Sequence, residues 1–216
     1  MQELPNISLA EITSTPTIPR KHKKTAPWIL KIPESNVDPA KYPTDEVNSV
    51  ENRNNFQQLC SKYPNHQKIY TDASKTDQGV GFSFICGNMS KKFHLPKAAS
   101  IFTAEARAIL EAFHHTQNNN TQSSIIFTDS MSVTRAIKNI NSKTKHEIIL
   151  NIQYIFTYLT NINKDVIIAW VPSHQGIKGN EEADIATKEA TSPSSGVIRK
   201  RIPCGIITPY RKTIME

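Results

Sequence analysis

The stretch HQKIYTDASKTDQGVGFSFICGNMSKKFHL, residues 66–95, holds three runs rich in β-branched and aromatic side chains: Lys68 to Ala73, Gly79 to Cys86 and Met89 to His94. Only Gly87-Asn88 separates the last two, the spacing of a two-residue hairpin turn, so three antiparallel strands are predicted. Beyond them the apolar period changes. Ser100 to about Asn118 reads as an amphipathic helix, and Ser124 to Asp129 as a continuously apolar strand of the kind buried on both faces of a parallel sheet. Ser130 to Ile140 predicts a short helix. Thr144 and Glu147 have the spacing of a capping box that opens a helix with one stripe of Ile148, Ile152, Ile155, Leu159 and Ile162. Asp165 to Val171 is the last strand, and Gly179 to about Ala190 the last helix, with Asn180 as its N-cap and Glu181 and Glu182 in its first turn. The order βββαβααβα describes a mixed α/β domain with a five-stranded sheet. Right-handed crossovers would set its first, fourth and fifth strands side by side in parallel.

Outside this block the pattern dissolves. Residues 1–65 read as a linker or connection segment, proline-rich, with a basic cluster at Arg20-Lys21-His22-Lys23-Lys24. A short helix over Val50 to Tyr63 carries Phe56, Leu59, Cys60 and Tyr63 at helical spacing and could dock on the domain of residues 66–191. In residues 192–216, Pro193, Gly196, Pro203, Gly205 and Pro209 interrupt every period, so a loose basic tail is expected. With 216 residues, 38% of them hydrophobic, the chain can bury one full core. It has no run of 18 apolar residues, which predicts a soluble protein without a membrane span. Glu3, Glu11 and four prolines in the first 30 residues argue against a secretory signal, so a nuclear or cytoplasmic protein that is not secreted is expected. Cys60, Cys86 and Cys204 are odd in number and far apart, which fits plain thiols rather than disulfides or zinc ligands. The net charge of +7 divides as +1 over residues 1–65, +2 over 66–190 and +4 over 191–216. That balance permits a polyanionic partner and equally an ordinary basic tail.

Two predicted strands end alike, Ile69-Tyr70-Thr71-Asp72 and Ile126-Phe127-Thr128-Asp129. Both place an aspartate at the carboxyl end of a strand, the edge where open α/β sheets bind ligands. Taken singly, each Asp-x or Asp-Ser pair is as well explained by a turn or helix cap; the repetition favours a site. Glu105 shares a helical face with Ile101, Ala108, Ile109 and Ala112, which puts a carboxylate on the stripe that should be buried. An unpaired buried carboxylate is costly unless a cation neutralises it, the alternative being a rim position from which it reaches water. Asp184 lies a turn inside the last helix, where the helix dipole accounts for Glu181 and Glu182 but not for it. Four such acids fit a two-metal site, with Mg²⁺ ions roughly 4 Å apart acting on a phosphodiester. The loop Trp170-Val171-Pro172-Ser173-His174-Gln175-Gly176 adds a histidine able to handle protons near neutral pH. His22, His66, His94, His114, His115 and His146 read as ordinary solvated side chains.

In these motifs the sequence resembles type I ribonuclease H, in the variety found in insect non-LTR retrotransposon polyproteins, including the jockey type. The resemblance rests on Ile69-Tyr70-Thr71-Asp72-Ala73-Ser74-Lys75, Thr103-Ala104-Glu105-Ala106-Arg107-Ala108-Ile109, Phe127-Thr128-Asp129-Ser130, and Trp170-Val171-Pro172-Ser173-His174 through Gly179-Asn180-Glu181-Glu182-Ala183-Asp184. It covers about residues 66–190, and Pro27 to Asn65 looks like the segment joining polymerase to ribonuclease H in those elements. It implies a ribonuclease H-like fold and hydrolysis of the RNA strand of RNA–DNA hybrids with two Mg²⁺ ions, Mn²⁺ being able to substitute. By the same resemblance Asp72, Glu105, Asp129 and Asp184 are the metal ligands, and His174 assists proton transfer and product release. Ser74, Lys75, Ser130 and Asn180 would touch sugar or phosphate, and a reverse transcriptase domain on another chain could be a partner. Departures are Ala73, where the family has glycine, the lack of a basic protrusion between Ile140 and Thr144, and the absence of any Tyr-x-Asp-Asp polymerase motif. With Met1 as its start, the chain would be a separated or domesticated retroelement fragment. The rival readings are a catalytically decayed fragment that only binds nucleic acid or a partner, and an integrase-like or resolvase-like nuclease, which lacks the His174 to Asp184 arrangement.

Overall fold

The computed structural model describes residues 30–33, 35–36, 49–139, 146–192 and 196–200. In chain order these form β1 (Ser35–Asn36), α1 (Ser49–Lys62), β2 (Gln67–Lys75), β3 (Val80–Cys86), β4 (Met89–Leu95), α2 (Ile101–Asn118), β5 (Ser123–Thr128), α3 (Met131–Lys138), α4 (Glu147–Asn161), β6 (Asp165–Trp170), α5 (Lys178–Ala190) and β7 (Val197–Arg199). One sheet has the order β1-β6-β5-β2-β3-β4-β7. β2, β3 and β4 are antiparallel, whereas β5 runs parallel to β2 and β6 parallel to β5, as the crossover argument requires. Two short edge strands extend the predicted five: β1 pairs in parallel with β6, and β7 with β4. Strands of two and three residues carry no period of their own, so only the sheet edges that receive them define them.

The central strands are apolar because both faces are covered. On one face α2, α3 and α4 pack Ile109, Phe113, Ile148, Ile152 and Leu159 over Phe82, Ile126 and Ile168. On the other, α1 lays Leu59 and Phe56 on Ile125, Phe127, Ile167 and Ala169, and α5 sets Ala183 and Ala186 against Ile85. Phe56 meets Phe127 edge to face at 5.1 Å between ring centres. β3 is buried along its whole length, and α5 approaches it so closely that a Cβ on Gly81 would lie 2.2 Å from the Thr187 carbonyl oxygen. Glycine is required there by space.

Several local expectations are corrected. Ser100 caps α2, its Oγ accepting from the Thr103 N–H at 3.1 Å, but Ile101, placed on the buried stripe, is 43% exposed because it precedes the first turn that faces the sheet. α4 starts at Glu147 with His146 in the cap position, so Glu147 is the first helical residue rather than the third; Thr144 and Ile140 lie outside the described residues. Ile162 follows the end of α4 and is exposed. α5 begins at Lys178 because the amides of Asn180 and Glu181 already bond the Ile177 carbonyl, which makes Ile177, not Asn180, the cap. Three histidines read as solvated are tied down: His66 to Asp165 at 2.9 Å, His94 to the Ala190 carbonyl at 3.0 Å, and half-buried His115 to the Asn119 side chain at 2.7 Å. Cys60 and Cys86 are free thiols raised by burial, and Cys204 and His22 lie outside the described residues. Among the described residues no helix is long and apolar enough to cross a membrane.

Candidate active site

The register of β2 against β5 sets Thr71 opposite Thr128, so the next residues, Asp72 and Asp129, come side by side where that ladder ends; Asp129 follows the end of β5, whereas Asp72, expected at a strand end, lies inside β2, which runs on to Lys75 paired with β3. Threonine suits the last paired position: its branched side chain packs in the sheet while the Thr71 hydroxyl donates to the Phe127 carbonyl at 3.1 Å, tying the two strands together. From the adjoining strand, Trp170 Nε1 donates to the Asp129 carbonyl at 2.9 Å and fixes the backbone at that acid. α2 crosses above and brings down Glu105, which is 9% exposed and therefore not a rim residue. One oxygen from each of Asp72, Glu105 and Asp129 falls within 4.8 Å of the others.

Such a cluster resists ionisation. Burial pushes the Asp72 carboxyl up to about 7, the charge of Asp129 adds to that and Asp184 contributes further, against bonds from Thr187 and the Ala73 amide that favour the ionised form. Burial, then Asp72 and Asp129, hold Glu105 well above the ordinary glutamate range. Asp129 is also raised by burial, opposed by its own backbone amide, by the Asn180 side chain and by His174. Glu105 Oε2 is buried with no hydrogen-bond partner. A divalent cation answers all of these observations: it supplies charge to three crowded carboxylates and a partner to the orphaned oxygen, and an all-oxygen donor set suits a hard ion.

α5 contributes the rest. Asp184 gathers with His174 and Glu181, the three groups lying within 4.8 Å of one another, and it is close enough to Asp72 and Asp129 to raise both carboxyls, so the four predicted acids adjoin. The groups are linked through Thr187, whose hydroxyl is 2.8 Å from Asp72 Oδ2 and 2.8 Å from the Asp184 carbonyl. Lys188 Nζ pairs with Asp184 Oδ2 at 2.7 Å. His174 is exposed and takes φ 55°, a left-handed conformation that costs a non-glycine residue roughly 1–2 kcal/mol and marks a constrained loop. Glu181, read from the sequence as a helix-dipole residue, also accepts from the Gly176 amide at 3.3 Å.

The remaining predicted contacts are placed as follows. Ser74 is half-buried on β2, and Lys75 donates its ammonium to the Ala99 carbonyl at 2.9 Å. Ser130 is buried at the N-cap of α3, where its amide bonds Thr128 Oγ1 and its hydroxyl caps nothing. Asn180 is 4% exposed, supports Asp129 and keeps its Oδ1 without a partner. Thr187 and Lys188 escape sequence reading. Their positions, one turn beyond Asp184, give the only signal, because side chains three and four residues on share its face.

Three clustered carboxylates at this edge of a mixed sheet, flanked by a histidine loop, form a group able to hold a divalent cation, an arrangement that metal-dependent phosphodiester enzymes use. Residues 64–192 match the RNase H family, and the chain belongs to it. The family comprises nucleases that act on RNA–DNA hybrids and use divalent metals. No curated protein matches the chain.

Proposed function

We propose that this protein is an endoribonuclease that hydrolyses the RNA strand of RNA–DNA hybrids by two-metal chemistry, and that it derives from a retrotransposon reverse transcriptase of the jockey-like insect type. The observation that carries the activity is the convergence of Asp72, Glu105 and Asp129 with an orphaned Glu105 oxygen. Asp72, Glu105, Asp129 and Asp184 would hold two Mg²⁺ ions, or Mn²⁺ in their place, which when bound would supply water activation and stabilisation of the leaving oxygen. Thr187 and Asn180 orient Asp72 and Asp129 for that task. Lys188 gives Asp184 a counter-charge. His174, exposed beside Asp184, exchanges protons with solvent and product. Ser74, Lys75, Ser130 and Asn180 line the approach of sugar and phosphate, and the strand choice needs a contact to the RNA 2′-OH. Residues 66–191 form the catalytic domain, 1–65 a connecting segment and 192–216 a basic tail, in a protein of the nucleus or cytoplasm that can work beside a reverse transcriptase domain on another chain.

The test is the purified full chain with end-labelled RNA–DNA hybrid, RNA duplex and DNA duplex, with Mg²⁺ or with EDTA. Cleavage of only the RNA strand of the hybrid, dependent on Mg²⁺ and lost in Asp72→Asn, is expected. Hybrid binding with no cleavage under any divalent ion would instead assign the chain to the decayed, non-cutting reading.

A further inference from the structure

The loop from Pro172 to Ile177 carries His174 between β6 and α5, and its own bonds are weak. Gln175 Nε2 donates to the Ser173 carbonyl at 3.4 Å and the Gly176 amide to Glu181 at 3.3 Å. His174 and Gly176 are both left-handed, at φ 55° and 70°, so Gln175 sits between two backbone positions that could relax elsewhere. The short bond comes from outside the matched family region. Asn52 in α1 is fully buried, and its Nδ2 donates to Gln175 Oε1 at 2.9 Å. The next residue, Arg53, packs on Gly176 so closely that a Cβ there would lie 3.2 Å from Nη1. One turn further along α1, Phe56 packs on Tyr70 with ring centres 6.5 Å apart, and the Tyr70 ring in turn covers Gly179, where a Cβ would lie 2.3 Å from it. α1 thus touches the loop directly at Gln175 and Gly176, and through Tyr70 it reaches the first turn of the helix that carries Asn180 and Asp184.

We propose that Asn52 and Gln175 form a positioning pair through which α1 holds the His174 loop, so that a helix preceding the family domain belongs to the catalytic unit. This rests on the function proposed above only for its kinetic consequence. The physical basis is that a hydrogen bond from a buried donor, in a wall fixed by Phe56 and Leu59, selects one loop conformation among those open to a weakly bonded turn. Neither residue touches the reacting atoms. In this proposal their effect on turnover passes through His174.

The experiment uses the full chain and the variants Gln175→Ala, Gln175→Glu and Asn52→Ala. Gln175 is a half-exposed loop residue, which keeps its variants folded, and Gln175→Glu retains an acceptor for Asn52. Hydrogen–deuterium exchange over residues 172–178 reads the pair without reference to activity. Gln175→Ala and Asn52→Ala should each speed exchange there by about tenfold, the change one such hydrogen bond supports in an equilibrium, while Gln175→Glu stays near wild type. On labelled hybrid, kcat should fall several-fold in the two alanine variants with KM unchanged, and adding Gln175→Ala to His174→Ala should cause no further loss. Unchanged exchange in Gln175→Ala, or an additional loss of kcat in the double variant, would overturn the pair. If the wild-type chain cuts no hybrid, the proposed function falls, while the exchange result still decides whether α1 holds the loop.

Discussion

Replacing Asp72 by asparagine should stabilise the metal-free protein at neutral and alkaline pH and leave it unchanged in acid. The Asp72 carboxyl moves from an ordinary 3.8 to about 7 on folding. A carboxyl raised by folding binds its proton more tightly in the native state, so it costs nothing below about pH 4; the penalty grows as pH climbs toward 7 and levels off above. At 1.36 kcal/mol per tenfold in acidity the gap corresponds to about 4 kcal/mol. Asp129 and Glu105 share the same protons, so the part that one substitution recovers is about 2–4 kcal/mol. For a domain of this size that is a rise in melting temperature of about 5–15 °C. Asparagine keeps one acceptor oxygen, enough for the Thr187 hydroxyl, and gives up the second; losing the bond from the Ala73 amide would cost about 1 kcal/mol, less than the charge penalty removed at pH 8. Thermal unfolding followed by circular dichroism in EDTA, at pH 4.5 and pH 8, would show the variant melting well above wild type only at pH 8. A variant that melts at or below wild type at both values would refute the claim that burial and its acidic neighbours penalise the Asp72 charge.

Three further outcomes are expected. His174→Ala should slow single-turnover cleavage by roughly 10²–10⁴-fold at most, whereas Asp129→Asn should cost more; equal losses would make the histidine a ligand or primary catalyst. Thr187→Val should destabilise by about 1–3 kcal/mol and weaken Mn²⁺ binding measured by calorimetry, because Asp72 loses its hydroxyl donor, while Thr187→Ser keeps both properties. Deleting residues 201–216 should weaken hybrid binding and flatten its dependence on salt, read from binding isotherms at several ionic strengths; an unchanged slope would deny the basic tail a role on phosphate.

The sheet and its helices were legible because their periods are local. The buried strands Ile125–Phe127 and Val166–Ala169 and the stripe of α4 announce themselves in sequence. Asp72 and Asp129 were legible because both end an apolar run, and Glu105 because it is a charge on a buried face. What stayed hidden depends on contacts between distant residues. The Asn180 cap was misread because the sequence alone favours Asn at that position, while the actual start of α5 is set by the Ile177 carbonyl and by Tyr70 packing on Gly179. Thr187 looks like an ordinary helix residue until Gly81 lets α5 approach β3 and its hydroxyl meets Asp72. The company Asp184 keeps with His174 and Glu181 likewise follows from the seating of α5 and not from any spacing.

The two short edge strands bear on how the sheet would meet a second chain. An uncovered strand offers a row of unpaired amides and carbonyls to any neighbouring chain, and edge-to-edge pairing is a common start of aggregation. Here β1 occupies the free side of β6, a strand apolar almost throughout, and β7 occupies that of β4. Both come from sequence outside residues 64–192. A fragment cut to those limits would keep Asp72, Glu105, Asp129 and Asp184 yet present two open edges, together with the apolar sheet face that α1 covers, and would be expected to precipitate or form strand-paired oligomers more readily than the full chain.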